Sequence, residues 1–318
     1  MNPAVFPEFQ IGEPVRDGAL AVFPLFGANG DSPAKEVAYV LSHVAMAAGD
    51  IEVEEVSEAG SVPNLRVTNK SAHRVLFLEG EELRGAKQNR VLNTSVLVAA
   101  NCAITIPVSC VEQGRWRYLD RYFKGSGSHA SPRLRRELKR SASQSLLHRG
   151  VASSDQISVW QEVEYTARAH GAESPTAAYA AVFEKRAARI EQSRKTLGYV
   201  DGAVGMAVAI GTKLVAADVF DKADTCRQVW ERLLSGVVLQ SLESKDDGAL
   251  PQSASVLDWL TAMNRVEWKP APAVGEGEEL RSSLQGDTHG SALCLEDVVV
   301  HGSLVVDGQI GSQAMGRR

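Results

Sequence analysis

The feature that most constrains the fold is a series of short runs of Val, Ile and Leu separated by turn residues. Before residue 117 these runs span residues 20–26, 51–56, 64–69, 75–78, 90–99 and 103–108. Runs of this length and spacing predict the strands of an antiparallel, sandwich-like or barrel-like core. One helix is expected among them, with Ser32 as its N-cap and Pro33 at its first position, running to about residue 44.

The hydrophobic pattern changes after residue 124. Residues 124–131, KGSGSHAS, are interpreted as a flexible break. Helical periodicity then predicts helices over 132–147, 153–170, 174–197, 221–244 and 256–263. Strands are predicted at 203–210, 213–220, 278–284, 291–296 and 298–306, with Gly211 and Thr212 as a two-residue hairpin turn.

These elements predict an α+β fold in which several helices pack on an antiparallel β-rich core. We expect residues 1–123 to form a β-rich part, with residues 124–306 packed on it as helices and strands of one continuous domain. Residues 307–318 are expected to be a flexible tail.

Charge and cysteine usage narrow the class of protein. The formal net charge of −5 argues against general nucleic-acid binding. The 4 cysteines form no CxxC motif and have no zinc-ligand spacing, which favours free thiols in a reducing compartment and predicts no metal site. Because the sequence has neither a signal-peptide pattern nor a long apolar run, we expect a cytoplasmic protein without membrane contact. No particular cofactor is indicated.

A polar turn between two predicted strands, within residues 78–98, is the segment richest in possible site chemistry. Gly80 and Gly85 allow a positive φ or a close backbone approach. Gln88 and Asn89 are unusual on a strand surface, and the polar side chains continue into the following strand. A solvated hairpin of mixed charge is the alternative interpretation, but we predict a functional turn.

A second candidate segment is IPVSCVEQGRW, residues 106–116. Cys110 ends a predicted strand, and a thiol beside an arginine can act as a nucleophile. The alternative is a buried cysteine that serves as a small apolar residue, and the apolar neighbours favour it. The candidate catalytic residues are Cys110 and Glu112 in this segment and Glu81 in the polar turn. We expect the polar turn and this segment to line one cleft.

Residues 115–149 are strongly basic, with ten Lys and Arg against two acidic residues, Asp120 and Glu137. Such a segment can bind a phosphate-containing ligand, a nucleic acid or an acidic partner protein, or it can neutralise acidic groups of its own fold. The composition alone does not decide among these four interpretations of the basic segment.

The hexapeptide EGEELR occurs at 79–84 and again at 276–281. Because the flanking residues differ, we interpret this as a chance recurrence.

The strings FLEGEELRGAKQNRVLNTSVLV and IPVSCVEQGRW resemble the ARG and rhodanese-phosphatase-superfamily-associated protein (ARPP) domain family. Further similarity in GMAVAIGTKLVAADVFDKADTCRQVWERLL and GSALCLEDVVVHGSLV extends the resemblance over about residues 18–306. Ala86 stands where the family turn often has a second glycine. The resemblance implies a context of ADP-ribose or NAD-derived nucleotides, and no established reaction.

The leading hypothesis, on this resemblance, is recognition or processing of an ADP-ribose-like nucleotide. Lys87, Arg90 and Arg115 are expected to meet phosphate, and Trp116 to provide a stacking face. The remaining predicted ligand contacts are Glu79, Gly85, Gln88, Asn89 and Asn93. Two alternatives stay open: a non-catalytic protein-interaction module, which would bind a partner through the basic segment 115–149, and a cysteine-dependent enzyme that uses Cys110.

Overall fold

The computed structural model describes residues 6, 8–27, 37–283 and 288–306. The strands within these residues are β1 (Phe9–Ile11), β2 (Val15–Asp17), β3 (Leu20–Gly27), β4 (Val40–Leu41), β5 (Ile51–Glu55), β6 (Asn64–Asn69), β7 (Val75–Phe77), β8 (Glu81–Gly85), β9 (Arg90–Leu92), β10 (Val96–Val98), β11 (Ala103–Cys110), β12 (Phe123–His129), β13 (Gly205–Ile210), β14 (Lys213–Phe220), β15 (Lys269–Ala271), β16 (Glu278–Ser283), β17 (Thr288–Leu295) and β18 (Val298–Val306). The helices are α1 (Ser42–Ala48), α2 (Pro132–Arg149), α3 (Gln156–His170), α4 (Ala180–Lys185), α5 (Ala187–Thr196), α6 (Ala223–Ser241) and α7 (Ser253–Met263).

The larger sheet draws its strands from both ends of the chain. Its order is β1-β3-β13-β14-β18-β17-β16-β15, with β2 also paired to β3, and all of these pairs are antiparallel. The pairing of β3 with β13, in which Leu25 lies opposite Gly205, puts strands from before and after residue 124 into one sheet.

A second sheet contains both segments that the sequence singled out. Its order is β12-β8-β9-β11-β6-β5, again with antiparallel pairs. A small third sheet, β10-β7-β4, includes one parallel pair, β4 with β7. The predicted α+β class with an antiparallel β-rich core and packed helices is confirmed.

Helix α6 shows how the helices attach to the sheets. Trp230, Leu234 and Val238 recur at every fourth residue, so they share one face, and all three are buried. That face packs against β3, β12, β13 and β14. Burying a side chain of this size stabilises the folded protein by about 1.5–3 kcal/mol relative to leaving it exposed. The indole N–H of Trp230 donates to the Leu197 carbonyl at 2.7 Å, so its burial leaves no unsatisfied donor.

The helix predicted from Ser32 to about residue 44 is wrong over residues 37–41, which are not helical. Residues 28–36 lie outside the described residues, residues 40–41 are strand β4, and the helix α1 begins at Ser42. The Val40 amide donates to the Arg74 carbonyl at 2.8 Å. Pairing with β7 therefore overrides the helical spacing of the apolar residues.

Three further boundary predictions were wrong. Residues 124–131, expected to be a flexible break, mostly form strand β12, which pairs with β8. The single helix over 174–197 is a turn followed by α4 and α5: Ala177 adopts φ 48° before α4, and Arg186, with φ −102° and ψ 9°, separates the two helices. The strand predicted over 90–99 is two strands, β9 and β10, that join different sheets.

The other predicted elements agree to within a few residues, including α2, α3, α6 and α7 and the hairpin β13–β14. Strands β1, β2 and β15 were not predicted, and residues 81–85, interpreted as part of the polar turn, form strand β8. Gly211 in that hairpin has φ 57°, which glycine adopts without steric cost. The predicted flexible tail, residues 307–318, lies outside the described residues.

Candidate functional site

The polar turn and the Cys110 segment lie side by side, as predicted. Strands β9 and β11 pair so that Arg90 is opposite Cys110. Beyond the strand ends, the Asn89 amide donates to Glu112 Oε2 at 3.1 Å, and the Gln88 side-chain amide donates to the Glu112 carbonyl at 3.0 Å. The two segments are thus one hydrogen-bonded unit.

Arg115 closes this unit. Its guanidinium donates to the Ala86 carbonyl at 2.6 Å, to Asn89 Oδ1 at 3.1 Å and to Glu112 Oε2 at 2.7 Å. The side chain is almost fully buried, and its Nε finds no hydrogen-bond partner among the described residues. Arg115 therefore orders the turn and retains one buried N–H donor.

The backbone of the turn explains its glycines. Gly85 has φ 129°, and a Cβ there would lie 2.7 Å from the Tyr122 carbonyl oxygen. Ala86, at the position where the family turn often has glycine, adopts φ 36° and is buried. Both residues thus have positive φ, the region that glycine occupies at least cost.

Glu112 is an ionised carboxylate at neutral pH. Burial would raise its pKa, but hydrogen bonds from Arg115, Thr176 and the Asn89 amide together lower it. Thr176 donates at 2.8 Å from a loop that packs closely on Gly114, where a Cβ would meet the Thr176 backbone at 2.8 Å. The carboxylate is therefore fixed in position from three sides.

An open groove of about 720 Å³, here called the β8–β12 groove, runs beside this unit. Four residues of the predicted site line it: Gly85, Asn89, Glu112 and Arg115. It also contains residues that sequence reasoning did not select, namely Arg84, Tyr122, Lys124, Ser126, Ala181 and the backbone of Gly125 and Gly127. The four of these that lie within residues 124–131 were missed because that segment was interpreted as a flexible break. The pairing of β12 with β8 brings them to the site.

Lys87, Arg90 and Trp116 lie outside the lining of this groove. Lys87 Nζ is 5.2 Å from the ring centroid of Trp116 and 5.1 Å from that of Tyr118, and it donates to the backbone carbonyls of Glu58 and Ala59. This lysine is therefore engaged within the fold.

Arg90 is fully buried behind the turn. It donates to Gln88 Oε1 at 2.9 Å and lies 3.6 Å from Glu55, while its Nε has no hydrogen-bond partner among the described residues. Burial lowers the pKa of this guanidinium, against the opposing effect of Cys110 and Glu55. Its predicted phosphate contact has no support from the groove lining.

Glu79 and Asn93 point into the interior. Glu79 Oε2 accepts from Lys139 Nζ at 2.6 Å, with both side chains fully buried. Asn93 donates to the Ala152 carbonyl at 3.0 Å and accepts from Ser109 at 2.5 Å. Both residues bind other parts of the fold and do not line the β8–β12 groove.

The three catalytic candidates are not brought together. Cys110 is fully buried, and burial raises the pKa of its thiol, which disfavours a thiolate at neutral pH. Glu81 lies in a separate cavity of about 10 Å³, the size of one water molecule, where Ser42 donates to it at 2.6 Å. Burial raises the pKa of Glu81, although Arg232 and Ser42 oppose the rise. Only Glu112 faces the groove.

Much of the basic segment is paired within its own fold. Arg133 binds Glu162 at 2.5 Å and Glu243 at 2.8 Å, and Arg135 binds Asp218 at 2.5 Å. These pairs favour the interpretation that the basic segment neutralises acidic groups of its own fold.

The described residues contain neither a cluster of metal ligands nor a membrane-spanning helix. In residues 8–27, 37–283 and 288–306, no group of three or more His, Cys, Asp or Glu side chains could hold a metal ion. None of the helices described in the same ranges has the length and apolar character needed to cross a membrane.

Comparison with known proteins identifies a family. The family model described as "ARG and Rhodanese-Phosphatase-superfamily-associated Protein domain" matches residues 8–305. A search of curated proteins gave no significant match, and neither did a search of solved structures.

Proposed function

Because the chain belongs to the ARG and Rhodanese-Phosphatase-superfamily-associated Protein domain family, we propose that it recognises an ADP-ribose-like or other NAD-derived nucleotide in the β8–β12 groove. The family description supplies the link to ADP-ribosylation. The choice of groove follows from the residues that line it.

One observation carries the choice of site: the two segments that bear the family resemblance are bonded together at the edge of a groove of about 720 Å³. Small-molecule sites of roughly 300–1,000 Å³ enclose most of a ligand of nucleotide size. The fixed positions of Glu112 and Arg115 mean that little side-chain ordering would be needed on binding.

Polar groups in the groove match the parts of such a ligand. Arg84, which pairs with Glu82 and Glu184 in the free protein, and Lys124 are the candidate phosphate donors. Lys124 now binds Asp120 at 2.9 Å on the surface, an exposed pair that a phosphate can displace at small cost. Glu112 and Asn89 offer oxygen acceptors for ribose hydroxyls, and Tyr122 offers a ring face.

Any acid–base step on the bound nucleotide is assigned to Glu112, the one catalytic candidate in the groove. Its lowered pKa makes it a weak base and a good hydrogen-bond acceptor. For this reason we propose recognition as the primary activity and processing as secondary.

The test is calorimetric titration of the whole chain with ADP-ribose, NAD, AMP and ribose 5-phosphate. Ala181→Trp, on the part of α4 that lines the groove, should block it and weaken ADP-ribose binding by at least about tenfold. Ala262→Trp, at a similarly half-buried helical alanine on α7, is the matched control and should bind normally. Absence of binding to all four compounds, or equal loss in both variants, would reject the proposal.

A further inference from the structure

Residues 116–121, here called the ridge, form an exposed wall beside the β8–β12 groove. All six are exposed, including Trp116 at 47%, Tyr118 at 47% and Leu119 at 67%. Scattered single apolar residues are normal on a surface, but three large ones within four positions form a patch. Trp, Tyr and Arg are also the residue types most enriched where binding energy concentrates in protein interfaces.

The ridge is held in place by the fold. The Leu119 amide donates to the Ala86 carbonyl at 3.0 Å, and Arg115 donates to the Arg117 carbonyl at 3.1 Å. Lys87 lies against the rings of Trp116 and Tyr118. A surface ordered in this way loses little conformational entropy when a partner covers it.

A second open groove, here called the Glu54 groove, lies on the other side of the ridge and has a volume of about 710 Å³. Its lining includes Glu54, Glu55, Glu58, Arg66, Tyr118 and Arg121. Two of the three carboxylates, those of Glu54 and Glu55, lie close to arginine side chains of the same chain. Glu54 lies 3.6 Å from Arg121 and opposite Arg66 across the strands, and Glu55 lies 3.6 Å from Arg90.

Two opposite charges on this surface remain unpaired. The Glu58 carboxylate and the Arg117 guanidinium are both exposed, and neither has a side-chain partner within the part of the chain that the structure describes. Glu58 belongs to the Glu54 groove and Arg117 to the adjoining ridge, so one molecule carries a cationic, apolar projection directly beside an anionic recess.

We propose that the ridge and the Glu54 groove form a twofold interface between two copies of this chain, in which Arg117 of each copy faces Glu58 of the other. A twofold interface uses the same patch on both molecules, so it requires a surface that carries both halves of each contact. The ridge and the adjacent groove meet that requirement in charge, because Arg117 and Glu58 lie on the same surface. Burial of Tyr118 and Leu119 would supply the apolar core of the contact.

Sedimentation-velocity measurements over a concentration series of the whole chain test this. The wild type should show a reversible monomer–dimer equilibrium. Leu119→Asp should shift it to monomer, while Ile157→Asp, at a 65% exposed residue on α3, is the matched control and should dimerise like the wild type. Circular dichroism verifies that each variant is folded.

A charge exchange tests the pairing itself. Arg117→Glu and Glu58→Arg should each weaken dimerisation by about tenfold or more, because like charges would then face each other. The double variant should regain most of the wild-type affinity. A wild type that is monomeric throughout, equal effects of Leu119→Asp and Ile157→Asp, or a double variant no better than the single ones would each overturn the proposal. Leu119 also lines the β8–β12 groove, but none of these measurements involves a nucleotide, so their outcome does not depend on the proposed function.

Discussion

At the scale of single residues, Arg115 shows that one guanidinium can order a loop and still belong to the lining of an open groove. Sequence reasoning identified Arg115, Asn89 and Glu112 as members of one site, and the structure bonds them to each other. What the sequence could not predict was that most donors of Arg115 are used inside the turn. Its acceptors are backbone carbonyls and side chains up to 30 residues away, and no local pattern marks them.

Arg115→Lys should therefore destabilise the fold. A lysine keeps the charge but cannot donate to Ala86, Asn89 and Glu112 in one plane. We expect the free energy of unfolding in urea to fall by roughly 1.5–3 kcal/mol, the range for hydrogen bonds to charged groups. Arg168→Lys, in an exposed pair with Glu164, is the control and should change it by less than about 0.5 kcal/mol. Similar losses in both variants would contradict the structural role of Arg115.

Gly85 and Ala86 offer a reciprocal test of the turn. Gly85→Ala should destabilise the protein by about 1–3 kcal/mol, because φ 129° and the 2.7 Å approach to the Tyr122 carbonyl leave no room for a Cβ. Ala86→Gly should cost little or be slightly stabilising, since φ 36° suits glycine better than alanine. The midpoint of thermal unfolding should thus fall clearly in Gly85→Ala and change little in Ala86→Gly, and a larger loss for Ala86→Gly would refute this account of the backbone.

Cys110 should be unreactive in the folded protein. Its thiol is buried and its pKa is raised, so at pH 7 almost no thiolate is present to attack. Cys102 is partly exposed and should be carboxymethylated by iodoacetamide first, as followed by peptide mass spectrometry. In denaturant the two rates should converge. Faster labelling of Cys110 in the native protein would revive the hypothesis of a cysteine-dependent enzyme.

At the scale of elements, patterns with a local physical cause were predicted well. Helix α2 has Ser131 as its N-cap, with the side chain accepting from the Leu134 amide at 3.3 Å, and Pro132 follows at the first position. Elements whose formation depends on distant partners were missed. Strand β12 is rich in Gly and Ser, residues that disfavour a strand in isolation, and it forms because β8 and α6 pack against it.

The recurring hexapeptide EGEELR adopts the same local structure at both places. Its glycines, Gly80 and Gly277, have φ 84° and 97°, and a strand begins at the next residue in each case. In each strand the arginine pairs with the glutamate two residues earlier, Glu82 with Arg84 and Glu279 with Arg281. Alternation along a strand explains this pairing, because residues i and i+2 lie on one face. This pairing follows from strand geometry alone, so it does not bear on whether the two segments share an origin.

At the scale of the whole molecule, a buried ionic network joins the larger sheet, through helix α2, to the segment between β7 and β8. Arg135 and Lys139, four residues apart on one face of the helix, bind Asp218 of β14 and Glu79 of the turn. His301 of β18 lies 3.2 Å from Asp218, and Arg281 of β16 lies 4.0 Å from Glu79. Sequence analysis recognised that α2 is basic, but the acidic partners are as many as 83 residues away along the chain, beyond any local pattern.

The Glu79–Lys139 pair provides the sharpest test of this network. Burial lowers the pKa of Lys139 to about 8, against the opposing attraction of Glu79, so the lysine is still mostly charged at pH 7. Lys139→Met should then leave Glu79 as a buried carboxylate, with Arg135 at 3.8 Å as its closest remaining cation, and should lower the free energy of unfolding by about 3–5 kcal/mol.

Removing both partners should cost less than the two single changes together. In Glu79→Gln with Lys139→Met no uncompensated charge remains at this pair, so the double variant should recover at least about 1 kcal/mol relative to additivity. Urea denaturation of the four proteins at pH 7 gives this coupling energy. Exposed Glu164 and Arg168, substituted in the same way, form the control cycle and should couple by less than about 0.5 kcal/mol. Additive effects in the buried cycle would mean that the network fills space without its charges stabilising one another.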